Sequence, residues 1–499
     1  MHRPAEPVFL RIAGSIVSDI RNGVLAPGGQ VASTRALAAK LGVHRNTVVA
    51  AYRELISEGW LTSRPGARTL VADSLPEDLP HRLKGRMRGV PVPLARAGFT
   101  IAGMPPPNLR GRASDVLPVS VPKHARRGQP RMLFLSEGAP DPRLLPASLL
   151  ARGYRRALRD TRNLEYQSAR GHARLRTALA GMLLRERRLH VREDNLFVTA
   201  GSQMALDLVA ESLCGRGAWV AVEEMGYAPA WGCFTRHGAR VQPIPVDRHG
   251  IDVEQLARLC SARGKTLAAV YVTPHHQYPT TVTLSQARRL ALLDLAQRAK
   301  FAIIEDDYDH EYHYGGRPIL PLASEDRAGV VLYIGTLSKI VAPSLRMGYV
   351  AGPSEFVAHL GERRFLRDRH GDPAMECALA ELLEDGDVAR HVWRSRRVYL
   401  ARRDALVKEL TASFADVLSF TVPNGGMALW AEVRKGIDVE AWLERAFAAG
   451  VAIRPARHFA FDGRPRPFLR LGFAYLTEEE MREGLETLRR TLPARSKMR

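Results

Sequence analysis

A lysine preceded by small hydroxyl residues, Gly335-Thr336-Leu337-Ser338-Lys339, is followed seven positions later by Arg346. That pairing suits a Schiff-base amine beside a phosphate clamp. Three other stretches carry related groups. Thr199-Ala200-Gly201-Ser202-Gln203 opens a helical segment, where free backbone N–H groups and a hydroxyl make an anion site. Glu223-Glu224-Met225-Gly226-Tyr227 sets an aromatic ring after an apolar run. Glu305-Asp306-Asp307-Tyr308-Asp309 gathers four carboxylates around a tyrosine. Such a group cannot be buried and fully ionised, so some acids must be solvated or meet a cation. No His/Asp spacing there recommends a particular metal, and none is expected. Singly, these motifs are ordinary: Gly-Ser before a helix is often only a cap, and most lysines are surface lysines. Together they supply a phosphate cradle, a ring partner, a carboxylate, a tyrosine and a lysine, the parts a pyridoxal phosphate site needs. There the lysine carries the cofactor, and the aspartate partners the protonated pyridine nitrogen and keeps the ring an electron sink.

These groups act together only if the fold delivers them to one place. From Met132 onward, helical and β-type segments alternate. Leu196–Thr199, Trp219–Val222, Leu267–Val272, Phe301–Ile304 and Val330–Ile334 read as buried strands, separated by helical segments such as Ser202–Cys214 and Leu284–Lys300. That is the pattern of a mainly parallel α/β sheet, which binds ligands beyond the carboxyl ends of its strands. The chemical stretches follow strands in this reading.

Residues 132–499 resemble, over nearly their whole length, the fold-type I aminotransferases, α/β enzymes that use pyridoxal 5'-phosphate. The resemblance implies that Lys339 is the Schiff-base lysine and Asp306 the pyridinium partner. It implies that Tyr308 bonds the ring 3'-oxygen and Tyr227 stacks on the ring, while Gly201, Ser202, Gln203, Thr336 and Arg346 hold the phosphate. Arg470, in Phe468-Leu-Arg-Leu-Gly-Phe, matches the arginine that pairs with an amino acid's carboxylate, for which its bidentate fork is suited. Three positions depart from the enzyme pattern. Tyr278 precedes Pro279 where asparagine is common, Thr281 replaces a glycine, and Met225 replaces a frequent proline.

The first 73 residues carry a different signature. Phe9, Ile12, Ile16 and Ile20 recur at helical spacing, and Asn22-Gly23 reads as a stop. Ser33 or Thr34 can cap a second helix whose Leu37, Ala38 and Leu41 face inward. After a turn at Gly42, a third helix starts near His44 with Val48, Val49, Tyr52, Leu55 and Ile56 on its apolar side. Trp60–Ser63 and Thr69–Val71 then flank a turn, Arg64–Arg68, as a two-stranded wing. This mainly α winged helix–turn–helix would place the third helix in a major groove of double-stranded DNA. Arg45, Asn46 and Thr47 would meet base edges, Arg35 a phosphate or base, and Arg64 and Arg68 the backbone or minor groove. The stretch from Ile12 to Val71 resembles the GntR-type winged helix. In that family the matching operator contacts fall on Arg35, Arg45, Thr47 and Gly66. His44 stands where a capping serine is usual, which predicts a weaker cap. Arg68 replaces a common second wing glycine.

Between the two lies residues 74–131. From Pro80 to Arg131 there are eleven basic residues, with Asp115 the single acid, and repeated prolines. Repeated proline removes donors and fixes φ, so no regular helix or sheet is expected in this basic linker. The chain is thus divided into a DNA-binding domain (1–73), a linker (74–131) and an effector domain (132–499). A GntR-type winged helix joined by a long linker to an aminotransferase-like domain resembles the MocR subfamily of bacterial regulators. The stretches Val272-Thr-Pro-His-His-Gln-Tyr-Pro and Glu305–Pro318 carry that likeness. It implies a regulator that binds operator DNA, senses pyridoxal phosphate or a small amine or amino acid, and forms a homodimer, often head to tail. The alternative is a working aminotransferase with an accessory DNA-binding domain, and a residual transamination half-reaction fits either reading.

Composition fits this organisation. At 499 residues, with 45% hydrophobic and 25% charged, the chain is globular, with two to four domains expected. Global disorder, collagen and coiled coil are excluded. No run approaches the roughly 18 apolar residues of a membrane span, and the N-terminus lacks a secretory apolar core. Cys214, Cys233, Cys260 and Cys377 lie far apart. They argue against a disulfide framework or zinc site and favour the cytoplasm. The net charge of +21 favours an anionic partner.

Overall fold

The computed structural model describes residues 7–21, 24–63, 68–73, 75, 94–95, 98–99, 132–136, 138–145, 147–215, 217–262, 266–315 and 319–493. The chain divides into two compact units, 1–113 and 114–499. The division falls inside the stretch read as a linker.

In the first unit, α1 (Val8–Arg21), α2 (Thr34–Leu41) and α3 (Arg45–Ser57) precede β1 (Leu61–Thr62) and β2 (Leu70–Val71). Ile12, Ile16 and Ile20 of α1 repeat every four residues and bury one stripe against Val48, Tyr52 and Leu55 of α3 and against Trp60 and Val71. The Tyr52 hydroxyl, buried with this cluster, donates to the Ala32 carbonyl at 2.6 Å. Ser33 caps α2, accepting from the Ala36 N–H at 3.2 Å. Gly42 ends it at φ 65°, a conformation glycine adopts without steric cost. β1 and β2 pair antiparallel, Leu61 opposite Val71.

Two inward assignments are corrected. Leu41 is 46% and Ile56 39% exposed. Leu41 is the last residue of α2, and beyond the turn Val43 packs against the core instead. Ile56 lies one residue past the 48–52–55 stripe. His44 caps α3, its Nδ1 accepting from the Asn46 N–H at 3.3 Å. The Asn22-Gly23 stop lies outside the described residues. Within the stretch read as structureless, Leu94–Ala95 pairs antiparallel with Gly98–Phe99. Leu94 to Met104 contains no proline, so nothing there removes a ladder donor.

The second unit is built on a seven-stranded sheet. Across it the order is Leu196–Thr199, Gly348–Ala351, Val331–Thr336, Ala302–Asp307, Leu267–Val272, Trp219–Glu223 and Arg240–Ile244. All pairings are parallel except those of Gly348–Ala351, which runs antiparallel to both neighbours. Helices cover both faces, and the strands are apolar and almost wholly buried, as a two-sided sheet requires. One boundary moved in a way that matters. The strand expected at Phe301–Ile304 runs from Ala302 to Asp307, so three acids sit inside the sheet, Asp306 opposite Ile334. Neighbours on both sides supply ladder partners that extend the strand past its apolar run. A smaller antiparallel sheet, Leu418–Phe420, Ala428–Val433 and Phe468–Gly472, packs over a separate core with helices Asp387–Phe414 and Glu478–Arg490. The four cysteines are free. Among the described residues no helix is long and apolar enough to cross a membrane.

Gly335, next to Thr336 on strand Val331–Thr336, faces the ring and hydroxyl of Tyr349 so closely that a Cβ would collide with both. Tyr349 is buried, with its hydroxyl against Arg187, and has little room to yield. Gly335→Ala is therefore expected to lower stability by about 1–3 kcal/mol, read by thermal unfolding of the full chain.

Candidate functional site

Six of the seven strands of the sheet point the same way, and their carboxyl ends deliver the chemical stretches to one edge. Lys339 lies in the turn after Val331–Thr336, and its Nζ donates to the Gly138 carbonyl at 2.9 Å. The turn is held by Leu337 N–H to Met347 O, 2.9 Å, and Val341 N–H to Leu337 O, 2.8 Å. The Tyr312 hydroxyl donates to the Lys339 carbonyl at 3.0 Å. Thr336 Oγ1, buried, accepts from the Ser338 N–H at 3.1 Å. Ser338 Oγ is buried with no partner among the described residues.

The four acids of the 305–309 stretch are all buried; none is solvated. Glu305 accepts from the N–H groups of Leu322 and Ala323 at 2.7 and 2.9 Å, yet burial pushes its pKa up to about 7. Burial also works to raise the Asp307 pKa, but the neighbouring His310, Nδ1 at 2.9 Å, outweighs it and holds the carboxyl well below the usual range. Asp309 Oδ1 lies 2.8 Å from His276 Nδ1. Asp306 receives only the Tyr271 hydroxyl, 2.8 Å from Oδ2. Its Oδ1 is buried with no partner, and burial raises the pKa to about 7. A carboxyl with one oxygen so orphaned calls for a donor.

Beyond the carboxyl end of Leu196–Thr199, on the same edge, Gly201 has φ 82° at the start of helix Ser202–Leu213. A Cβ there would fall 2.8 Å from an Arg346 guanidinium nitrogen. Glycine thus lets the backbone and Arg346 converge at a helix N-terminus, where N–H groups meet anions. Arg346 is exposed and donates to the Ala200 carbonyl at 3.3 Å. Ser202 is partly exposed beside it. The side chain of Gln203 turns away from this cradle. Its amide nitrogen lies 3.3 Å from the Pro229 carbonyl and 3.1 Å from Cys233 Sγ, and its oxygen accepts from the Tyr227 hydroxyl at 3.2 Å. That leaves its backbone N–H, in the first helical turn, as the group that can reach a phosphate.

Tyr227 begins the next helix, and burial pushes its pKa up to about 12. It meets Tyr278 edge-on at 5.8 Å. Tyr278 also meets Tyr308 edge-on at 6.0 Å and lies under the Arg470 guanidinium at 4.9 Å. The Tyr308 hydroxyl donates to the His276 carbonyl at 2.9 Å. Arg470, on Phe468–Gly472, is buried; one nitrogen donates to the Ser136 carbonyl at 3.1 Å, and Nε has no partner among the described residues. Its guanidinium packs on Gly138, where a Cβ would collide with it. Lys339 and Arg470 therefore meet the same short segment, Ser136 to Gly138.

That segment was missed by sequence reasoning, as were Tyr271 and His276. Ser136 and Gly138 act through backbone carbonyls, which leave no residue signature. Tyr271 lies inside a strand that reads as plain core. At Thr281, which replaces the family's glycine, the backbone keeps φ 65°.

These residues fit pyridoxal phosphate. Asp306 Oδ1 would receive the pyridine N–H, Lys339 Nζ would hold the aldehyde carbon, and the cradle of Gly201, Ser202, Thr336 and Arg346 would take the phosphate. When bound, the cofactor supplies an electron sink for bonds at an amino acid's α-carbon. The chain's own part would be to orient the two ends and to hold a proton at Asp306 toward the ring nitrogen.

In the first unit, Arg45 and Asn46 are exposed at the N-terminus of α3, with Thr47 half-buried behind them. Arg35 is exposed on the first turn of α2. Arg68 is exposed and donates to Gln30 at 2.8 Å. Arg64 and Gly66 lie outside the described residues. Three helices with a paired strand ribbon, exposing Arg45 and Asn46 at the start of the third helix, make a DNA-binding winged helix.

The molecule is therefore a DNA-binding unit joined to a cofactor-binding unit of aminotransferase type. The chain belongs to the bacterial regulators that fuse these two parts: residues 9–71 match the gntR family of bacterial regulatory proteins and 131–488 the aminotransferase class I and II family. It is 31% identical to the probable rhizopine catabolism regulatory protein MocR of Rhizobium meliloti, over 97% of this chain and 93% of that one. Among solved structures it is similar to the multiple substrate aminotransferase of Thermococcus profundus. The TM-score is 0.68 and the identity 30%, covering 73% of this chain and 92% of that one. It is also similar to LysN of Thermus thermophilus, the α-aminoadipate aminotransferase complexed with N-(5'-phosphopyridoxyl)-L-leucine. There the TM-score is 0.66 and the identity 29%, covering 72% and 92%. The chain is a pyridoxal phosphate-dependent transcriptional regulator.

Asp306 has a pKa near 7 against an ordinary 3.8. Between those values the folded chain keeps a proton that the unfolded chain has released, so cofactor-free stability falls as pH rises from about 4 to about 7. Asp306→Asn should flatten that part of the decline, read by thermal unfolding across the range. Equal slopes in both proteins would mean that Asp306 ionises normally in the fold.

Proposed function

We propose that Lys339 holds pyridoxal phosphate, with Asp306 on the ring nitrogen, Tyr227 and Tyr308 against the ring, and the 201–203 turn, Thr336 and Arg346 on the phosphate. The effector is a small amino acid whose amine meets the cofactor and whose carboxylate pairs with Arg470. The observation that carries this reading is the convergence of Lys339 Nζ and the Arg470 guanidinium on Ser136 and Gly138. An amine-reactive group and a carboxylate-binding group so close together select a molecule that carries both. The effector regulates only through a difference in its affinity for the DNA-competent and DNA-incompetent states. We place the protein in the cytoplasm as a homodimer, head to tail, with the domains at 1–73 and 132–499 and the basic stretch 74–131 extending the DNA-binding charge. The pocket keeps the lysine, aspartate and carboxylate arginine of an aminotransferase, so a transamination half-reaction is the second reading. Sustained keto-acid turnover with an amino acid panel would favour it.

Two experiments test the assignment. After borohydride reduction with pyridoxal phosphate, intact mass should show one pyridoxyl adduct on the wild-type chain and none on Lys339→Ala. An adduct retained by the variant would move the lysine elsewhere. In operator binding, Arg45→Ala should cost about 1–3 kcal/mol and relax base preference if Arg45 reads a base. Reversing linker arginines should instead lower the salt slope. A uniform loss for Arg45→Ala makes it a phosphate contact, and an unchanged slope removes the linker from the interface.

A further inference from the structure

Four histidines gather next to the strand ends. His275 and His276 follow strand Leu267–Val272, and His310 and His313 follow Ala302–Asp307; all four are buried. The His275 ring centroid lies 4.4 Å from that of His276, 4.7 Å from that of His310 and 6.2 Å from that of His313. Neither nitrogen of His275 has a hydrogen-bond partner among the described residues, although the side chain is only 4% exposed. A buried imidazole ordinarily satisfies at least one nitrogen.

His275, His276 and His313 each present a ligand atom, all within 4.8 Å of one another. A tetrahedral zinc ion bound at about 2.0–2.1 Å sets its nitrogens about 3.4 Å apart, a gap that modest side-chain rotations close. His276 is already arranged as metal-binding histidines are. Its Nδ1 is engaged by the buried carboxylate of Asp309 at 2.8 Å, which fixes the ring and leaves Nε2 for a ligand bond. Gly425 faces that Nε2, where a Cβ would collide with it. On the other side of His275, Asp307 and His310 also come within 4.8 Å. That side is partly occupied: Asp307 Oδ2 lies 2.9 Å from His310 Nδ1 and accepts from the Tyr333 hydroxyl at 2.8 Å, while Asp307 Oδ1 and both His310 nitrogens make no hydrogen bond among the described residues.

We propose that His275, His276 and His313 hold one divalent transition-metal ion of the zinc class, with Asp309 as the carboxylate behind His276. Three neutral imidazoles suit a borderline metal rather than calcium or magnesium. The ion would pin together the 273–282 loop and the turn after Asp307. It would thereby steady the His276 carbonyl, which accepts the Tyr308 hydroxyl. The spacing of these residues along the chain hides the site, because its ligands come from two segments joined only by the sheet. The proposal does not depend on the regulatory reading.

The test uses the full-length, tag-free chain, stripped with chelator and titrated with cobalt(II), whose visible bands are intense in tetrahedral nitrogen surroundings. Bands saturating at one equivalent per chain and displaced by zinc(II) are expected. His275→Ala and His313→Gln should abolish them, Asp309→Asn should weaken binding about 10–100-fold, and His359→Ala, at the surface, should leave them unchanged. A folded wild-type chain with no saturable bands overturns the site. So do bands that survive both histidine substitutions. If His275→Ala fails to fold, His313→Gln decides: bands kept at one equivalent overturn the site, and bands lost support it.

Discussion

Four carboxyl groups are buried within five consecutive residues, and much of the second unit is organised around neutralising them. An ionised carboxylate taken out of water without compensation is too costly for a fold to tolerate. Each acid receives a different answer. Glu305 is tied to two backbone N–H groups and takes up a proton near neutrality, Asp307 meets His310 and Tyr333, and Asp309 meets His276. Asp306 and Asp307 each keep one oxygen without a partner among the described residues, but Asp307 has His310 beside it, whereas Asp306 has only the Tyr271 hydroxyl. The partners come from Leu267–Val272, Val331–Thr336 and the loops beyond them, so the same strands that bury the acids also carry Tyr278, Thr336 and Lys339 into place.

This arrangement explains why the cofactor residues need not be close in sequence. A parallel sheet delivers the ends of non-consecutive strands to one edge, bringing Gly201, Tyr227, Asp306, Lys339 and Arg346 there, and Gly138 and Arg470 join them from outside that sheet. The N-terminal unit works by a simpler rule. One apolar stripe on α1 and one on α3 make its core, and the exposed start of α3 is what remains for DNA.

The motif residues and the order of elements were legible because they are local. Strand runs, the Gly42 turn and the lysine turn each leave a compact signature. What was not legible came from tertiary context. The strand Ala302–Asp307 extends into its acids because Leu267–Val272 offers a ladder partner as far as Glu305 and Val331–Thr336 as far as Asp307, and no propensity for Glu or Asp would predict that. The Gln203 amide looked like a phosphate ligand until the helix of Tyr227 proved nearer. Ser136 and Gly138 contribute only carbonyls. Leu41 and Ile56 read as core from periodicity, but one terminates its helix and the other lies just off the stripe.

The antiparallel strand Gly348–Ala351 has a mechanical meaning. Because it returns directly beside Val331–Thr336, Lys339 and Arg346 sit on a single tight connection between two neighbouring, hydrogen-bonded strands. In the cofactor arrangement proposed above, the amine and the phosphate arginine would be two jaws of one clip rather than separate ligands. A molecule that levered the lysine end would then strain the phosphate end as well, and one that left both still would have to act through the Arg470 side of the pocket.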